Sequence, residues 1–354
     1  MSNRSEQFKG VPLRPSTESV LSRVRRRLIS CSLYALSLAV MVVGLPILLP
    51  VAAIIDIVKR RPWICVRITI FFVLYLMFEL IAATAIPLVW LVSGVWAGGS
   101  VLRYYRWNFW IQRWWVAGIM GFLLPLFNVK LRTEGDTDFE ARPFMLFLRH
   151  VSVTDTIVPP YLLYPRGIHL RIVLKRELAW DPALDMSFSA LPNCFVTRGS
   201  SNTEKEAEEV GRLMDRLTPY EAVMIYPEGT RFTEAKKARV LEKIKASGDE
   251  AAYQRAKGFR TVLPPRPGGP LRLLERNTNA DAIFCAHVGL EKATGFMDLW
   301  NGGPIGQTVR FHFWRVPFEA IPKEPKAQAE WLYEQWKLVD EFVYENTARN
   351  PGVS

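Results

Sequence analysis

Two long apolar stretches dominate the first third of the chain, and short ones punctuate the rest. The first covers residues 28 to about 55 and the second residues 63 to about 93. At a rise of about 1.5 Å per residue, either is long enough as a helix to cross a hydrocarbon core of about 30 Å. A cleaved signal has an apolar core of only about 7–15 residues, so neither stretch is predicted to be removed. Gly44, Pro46 and Pro50 interrupt the first span, which is therefore expected to bend and re-enter rather than cross. Arg67, near the start of the second, is expected to snorkel to the interface. Glu79, in its middle, is costly in lipid and is expected to face protein as a paired structural carboxylate; a proton or ion path is the alternative. Residues 101–125, VLRYYRWNFWIQRWWVAGIMGFLLP, mix Trp and Tyr with Arg, a composition suited to the headgroup layer.

From about Asn128 the pattern changes. Short apolar runs at 143–148, 170–174, 194–196, 222–226, 282–288 and 309–316 are separated by charged stretches such as NTEKEAEEVGRLMDRL. Runs of strand length alternating with helical patterns predict an α/β fold, a mostly parallel sheet flanked by helices. Near the C-terminus, Leu332, Trp336, Val339 and Val343 recur at helical spacing and predict a core-facing stripe. The division this suggests is a basic tail (1–27), a membrane-associated helical segment (28–125) and a catalytic-type domain (126–354).

Charge sharpens the membrane reading. The 354-residue chain carries a formal net charge of +11. Basic chains bind nucleic acid, anionic membranes or anionic small molecules. Neither zinc-finger spacing nor an RNA-binding signature is present, so no nucleic-acid partner is expected and the bilayer is. Arginine and lysine flank all three borders of the apolar spans, at Arg25, Arg26 and Arg27, at Lys59, Arg60 and Arg61, and at Arg103 and Arg106. A simple two-span hairpin cannot hold all three clusters on the cytoplasmic side, which again favours a bent or interfacial helical pair. Charges of the tail are expected to touch anionic lipid. Cys31, Cys65, Cys194 and Cys285 are scattered, which indicates neither a zinc site nor a disulfide framework and fits a cytoplasm-facing domain.

Two strand-like runs end in polar motifs. The run 143–148 leads into Arg149-His150-Val-Ser-Val-Thr-Asp155, and 222–226 leads into Pro227-Glu228-Gly229-Thr230-Arg231. Ligands of open α/β sheets sit outside the carboxyl ends of the strands, so both motifs can line one crevice. On a continuous helix, residues five apart point about 140° away from one another. Ser152 to Asp155 instead resembles a capping box, which puts His150 in the strand-to-helix turn and lets Asp155 reach back to it. A carboxylate beside a histidine fixes its tautomer and suits it as a general base. Spacing alone leaves open a histidine that only hydrogen-bonds a turn. In the second motif Gly229 permits a tight backbone, Thr230 offers a hydroxyl and Arg231 a planar phosphate clamp; a surface turn ending in an ion pair is the plain alternative. Arg198, after NCFVT, is a further cation at a strand end. G-x-S-x-G is absent, and the other three histidines look isolated, so neither a serine nucleophile nor a metal site is expected.

Together these residues resemble the glycerolipid acyltransferase family, in particular its 1-acyl-glycerol-3-phosphate acyltransferases. The H-x-x-x-x-D block corresponds to His150 and Asp155. The E-G-T-R block corresponds to Glu228, Gly229, Thr230 and Arg231, and the G-x-x-F-x-x-R block to residues 192–198, where Pro192 replaces the glycine. Arg149 stands where the family commonly has asparagine. The resemblance spans about 135–320 and implies an enzyme acting at the membrane. In it His150 removes the proton from the hydroxyl of a lysophospholipid acceptor, with Asp155 orienting it, and the oxygen attacks an acyl thioester directly. Arg198 and Arg231 would hold the acceptor phosphate, with Glu228, Gly229 and Thr230 shaping that pocket. The implied product is phosphatidic acid, and the acyl donor is acyl-CoA or an acyl-carrier protein, with no other cofactor. Acylation of another lysophospholipid or hydroxylated lipid is the nearest alternative; a non-catalytic phospholipid-binding membrane protein is the alternative of a different class. A charged insert after the E-G-T-R block, TEAKKARVLEKIKASGDEAAYQRAKGFR, reads as helices with a solvated face, or as a lid.

Overall fold

A computed structural model describes residues 6–12, 18–139, 142–152, 154–197 and 203–348. Seven strands form one sheet: β1 (Lys130–Gly135), β2 (Phe144–Leu148), β3 (His169–Lys175), β4 (Cys194–Val196), β5 (Glu221–Ile225), β6 (Asp281–Val288) and β7 (Thr308–Val316). Their spatial order is β1-β7-β6-β2-β5-β3-β4. The five strands from β6 to β4 are parallel, β7 runs antiparallel to β6, and β1 is parallel to β7. A mostly parallel α/β sheet is thus what the apolar runs predicted.

The central strands explain why those runs were legible. Every residue of β2, β5 and β6 is buried, because helices cover both faces. Phe144, Leu146 and Leu148 point into one core layer and Met145 and Phe147 into the other. The strand missed by sequence is β1, whose KLRTEG is mostly exposed at the sheet edge and carries no apolar run. The stripe Leu332, Trp336, Val339 and Val343 lies on α11 (Pro325–Ala348) and is fully buried against the second layer, beside α6 (Thr203–Gly211) and α9 (Gly268–Glu275).

Three long helices occupy the other face: α1 (Val20–Val58), α2 (Ile64–Ser93) and α3 (Val101–Leu126). α1 and α2 are each long and apolar enough to cross a membrane. The expected break in α1 does not occur, since the helix runs on through Gly44, Pro46 and Pro50. Each proline forfeits one backbone hydrogen bond, whereas an unwound segment in an apolar environment would expose several. α2 packs closely on α3, where a Cβ on Gly118 would fall 1.9 Å from the Phe78 ring.

The hairpin also lies along the sheet domain rather than standing off it. Asp185, on α5 (Pro182–Ser189), pairs with Arg27 at 2.6 Å and Arg26 at 3.0 Å. At the hairpin tip, Ile64 and Ile68 pack with Phe127, Leu299 and Ile305. Along a helix axis the stretch from Arg27 to Arg61 measures about 50 Å.

Two expectations for charged groups change. Arg26 and Arg27 are held by protein carboxylates, and Gln7 and Phe8 are buried, with Gln7 donating to the carbonyls of Gly167 (2.9 Å) and Tyr220 (2.8 Å). Among the described tail residues, those around Gln7 and Phe8 are therefore docked on the domain, where Phe8 finds an aromatic niche beside Tyr105, Phe109 and His169. Arg67 donates to the carbonyl of Leu126 at the end of α3, satisfying a helix terminus instead of reaching for the interface. Glu79 does face protein: it is fully buried and accepts from the Trp115 indole at 3.0 Å and from the amide of Ala183 at 3.2 Å.

The charged insert forms α7 (Glu234–Ala246) and α8 (Glu250–Lys257), and α7 has no buried residue. The remaining helices are α4 (Val158–Leu163) and α10 (Phe296–Trp300).

Candidate active site

The strands β6, β2 and β5 are neighbours and run in the same direction, so their carboxyl ends meet at one edge. His150 follows β2, Glu228 follows β5 and Glu291 follows β6. Topology alone therefore gathers residues separated by up to 141 positions.

After β2 the chain turns, and residues 154–156 form a single 3-10 turn before α4. Ser152 Oγ accepts from the amide of Thr154 at 3.1 Å, and Asp155 accepts from the amide of Ser152 at 2.8 Å. This is a shortened capping box, opening a 3-10 turn where an α-helix was expected. It folds Asp155 back onto the histidine. Asp155 Oδ1 lies 2.9 Å from Nδ1 of His150, and Oδ2 also accepts from the amide of Val151 at 2.7 Å.

Asp155 is fully buried, while the His150 side chain keeps 11% of its surface open. Its ring packs on Tyr226 with centroids 4.2 Å apart, and the Tyr226 hydroxyl donates to the carbonyl of Asp155 at 3.1 Å. With Nδ1 donating to a carboxylate, Nε2 carries the lone pair and has no hydrogen-bond partner among the described residues. A buried carboxylate, a fixed ring and one free basic nitrogen can accept a proton from a hydroxyl brought to the strand ends.

The E-G-T-R block lies alongside. Both oxygens of Glu228 are taken by backbone amides, Oε1 by His150 at 2.9 Å and Oε2 by Leu263 at 2.9 Å, and its side chain is fully buried. Burial pushes the Glu228 carboxyl up to about 8, against the pull of those two amides and of the Arg149 charge. Glu228 thus braces the histidine backbone from behind, so any part in shaping the pocket, the role the resemblance implies, is exerted through the backbone it holds. Gly229 has a φ of +65°, and a Cβ there would come within 3.1 Å of Arg266 Cδ, so glycine suits the turn on both counts. Thr230 is nearly buried. Arg231 is half-buried and donates to the carbonyl of Thr294. The next residue, Phe232, donates its amide to the carbonyl of His150 at 2.8 Å, which ties the two motifs together. Arg198 lies outside the described residues.

Sequence reasoning missed His287 and Tyr226 as neighbours of the pair, and the burial of Arg149. His287, on β6, looked isolated but its Nε2 lies 3.8 Å from Asp155 Oδ2. Its Nε2–H donates to the carbonyl of Arg149 at 3.0 Å, and burial lowers the imidazole to about 4, so it stays neutral. Arg149 is buried and paired with Glu291. Tyr226 forms the floor under the ring. His287 stands two residues beyond the β2–β6 pairing of Leu148 with Cys285, as His150 stands two beyond Leu148, a register that only strand pairing supplies. His169 and His312 lie elsewhere, at the start of β3 and on β7 against Phe342. An apolar pocket opens beside the site, lined in part by Leu123 and Leu124 of α3, Thr154, Val158 and Leu290.

Residues 130–268 match the family model described as Acyltransferase. "Lysophosphatidylinositol acyltransferase 10" of Caenorhabditis elegans is 21% identical over 255 residues, covering 69% of this chain and 63% of that protein. "1-acyl-sn-glycerol-3-phosphate acyltransferase epsilon" of Mus musculus is 26% identical over 234 residues, covering 62% of each. The chain thus spans less than two thirds of the length of these curated relatives. Among solved structures, the 1-acyl-sn-glycerophosphate acyltransferase PlsC of Thermotoga maritima aligns with 15% identity and a TM-score of 0.43, over 74% of this chain and 96% of that one.

Proposed function

With residues 130–268 an acyltransferase-family domain, we propose that this protein transfers a fatty acyl group from an acyl thioester to the free hydroxyl of a lysophospholipid, with 1-acyl-glycerol-3-phosphate as acceptor and phosphatidic acid as product. The observation that carries this reading is the His150–Asp155 pair at the strand ends, 2.9 Å apart, with Nε2 left open. A protein that only bound phospholipid would need a phosphate clamp but no oriented base.

The reaction divides simply. His150 Nε2 takes the proton of the acceptor hydroxyl as its oxygen attacks the thioester carbonyl. Asp155 holds the tautomer and stabilises the imidazolium. The tetrahedral adduct collapses by breaking the C–S bond, and the departing thiolate recovers the proton from His150. Arg231 and Arg198 bind the acceptor phosphate, and Gly229 and Thr230 shape the turn that carries Arg231.

A second acceptor is favoured by a specific observation: the two relatives above are named for lysophosphatidylinositol and for 1-acyl-glycerol-3-phosphate, at similar identity. The test is product analysis by mass spectrometry with purified protein in detergent. Acyl-CoA and acyl-carrier protein would each be offered with a panel of lysolipids, to wild type and His150→Ala. Phosphatidic acid from wild type alone supports the full reading. Product from another acceptor only replaces the substrate, and no product with any pair removes the enzymatic reading.

An interfacial seat, with the domain on the cytoplasmic face, is part of the proposal. The sheet domain touches the α1–α2 hairpin near both of its ends, about 50 Å apart, against a hydrocarbon core of about 30 Å. A hairpin standing upright in the bilayer would carry one of those contacts across it. A hairpin lying along the surface offers its apolar outer face to one leaflet and lets a poorly soluble lysolipid enter from the membrane.

A further inference from the structure

The residue before His150 is a cation at the mouth of a site expected to bind phosphate, which invites its reading as one more clamp. Its surroundings argue otherwise. Arg149 is 2% exposed. Nη1 donates to the Glu291 carboxylate at 2.7 Å and to the carbonyl of His287 at 2.7 Å, and Nη2 reaches the carbonyl of Thr261 at 3.4 Å. Its backbone is held as firmly. The amide donates to Cys285 at 3.2 Å, extending the β2–β6 ladder by one step, and the carbonyl accepts from His287 Nε2 at 3.0 Å.

Glu291 is fixed in turn. Its second oxygen accepts from the amide of Gly289 at 2.7 Å, in the turn that leaves β6. Burial pushes its carboxyl up, yet the charge and hydrogen bonds of Arg149 hold it below the ordinary value. The Thr261 end is anchored as well. Asp340 of α11 accepts from the Thr261 amide at 2.6 Å and its hydroxyl at 2.7 Å, and two residues on Leu263 donates to Glu228. The segment leaving the insert therefore grips residue 149 through its side chain and residue 150 through Glu228.

We propose that Arg149, locked by Glu291, is a positioning residue for His150: the pair fixes the turn that presents the imidazole, and neither partner contacts substrate. This rests on the reading of His150 as the base. A guanidinium serves because its flat fork spans acceptors on two separate elements; an ammonium offers one point of attachment.

The test uses the full chain in detergent and two readouts. The first is the proton resonance of the His150 Nδ1–H···Asp155 hydrogen bond, assigned by its loss in His150→Ala; it reads geometry without any turnover. The second is the split between kcat and KM for the acceptor. Arg149→Met, Arg149→Lys and Glu291→Leu should each displace or broaden the resonance and lower kcat by about tenfold, with KM within about twofold of wild type, as for a lost orienting contact. Glu291→Gln retains an acceptor for the guanidinium and should recover most of the rate. The double variant Arg149→Met/Glu291→Leu should be no slower than the slower single, because both act through one contact.

An unchanged resonance with unchanged kcat in both Arg149→Lys and Glu291→Leu would overturn the proposal, as would a rise in KM alone, which would make Arg149 a phosphate clamp. Should Arg149→Met fail to fold, Glu291→Leu carries the test, since Glu291 is 20% exposed at a turn. A wild type without turnover removes the acyltransferase reading, while the resonance still decides whether the pair positions His150.

Discussion

Asp155 serves both the His150 ring and the backbone that carries it: Oδ1 lies 2.9 Å and Oδ2 3.2 Å from Nδ1, and Oδ2 also accepts from the amides of Val151 at 2.7 Å and Ser152 at 2.8 Å. The carboxylate therefore shapes the turn and orients the ring at once. Replacing it by asparagine separates the two roles. The amide oxygen of Asp155→Asn can keep the backbone contacts, while its NH2 faces Nδ1 and favours the tautomer protonated on Nε2. We expect kcat to fall by about a thousandfold or more, with Tm almost unchanged, as the wrong tautomer has no lone pair for the acceptor. Retention of more than a tenth of the rate would exclude His150 as the base oriented by Asp155.

Glu228 holds His150 from the other side. Glu228→Ala leaves the amides of His150 and Leu263 buried without acceptors, each costing about 1–3 kcal/mol. The variant should melt well below wild type and lose activity together with stability, whereas Arg231→Ala should mainly raise the KM of a phosphate-bearing acceptor. Thermal melting beside steady-state kinetics separates the two. A Glu228→Ala protein of wild-type Tm would show that the brace contributes nothing.

His287 should make stability fall in mild acid. Burial depresses its imidazole from 6.5 to about 4, so the unfolded chain takes up a proton between those values that the folded chain refuses. The contribution is present above pH 6.5 and is lost as pH falls toward 4; its full size is about 3 kcal/mol. Tm measured at pH 7 and pH 5 should therefore drop less in His287→Gln than in wild type. Equal drops would mean that His287 is not the group responsible.

The seat of the α1–α2 hairpin can be read by labelling. On a background without reactive cysteines, Leu21→Cys and Lys59→Cys mark its two ends. An impermeant thiol reagent applied to sealed vesicles should reach both from the same side. Labelling from opposite sides would establish that α1 crosses. Deleting residues 1–100 is the poorer experiment, because Phe8, Ala82, Ala83 and Ile86 belong to the core layer beneath the sheet and Glu79 bonds to Trp115 and Ala183. That truncation should destabilise the domain in addition to releasing it from membranes.

What the sequence determined by itself is set by local patterning. The buried strands β2, β5 and β6 are apolar on both faces, so they stand out in any window, and the charged edge strand β1 does not. The α11 stripe is legible for the same reason, through its helical period. Asp155 could be paired with His150 because a capping-type turn is a local structure, with donor and acceptor three to five residues apart. Other relationships depend on which strands become neighbours. Nothing near Arg149 announces that Glu291 and Thr261 will take its guanidinium, or that His287 will lie 3.8 Å from Asp155. Nothing near Glu228 announces that its carboxylate turns inward to the amides of His150 and Leu263. Those contacts exist only because parallel pairing brings the ends of β6, β2 and β5 to one edge, where hydrogen-bonding groups from distant segments must satisfy one another out of water. The unbroken course of α1 is likewise not given by its prolines, since Pro46 and Pro50 each remove one backbone bond while the rest of the ladder carries the helix on.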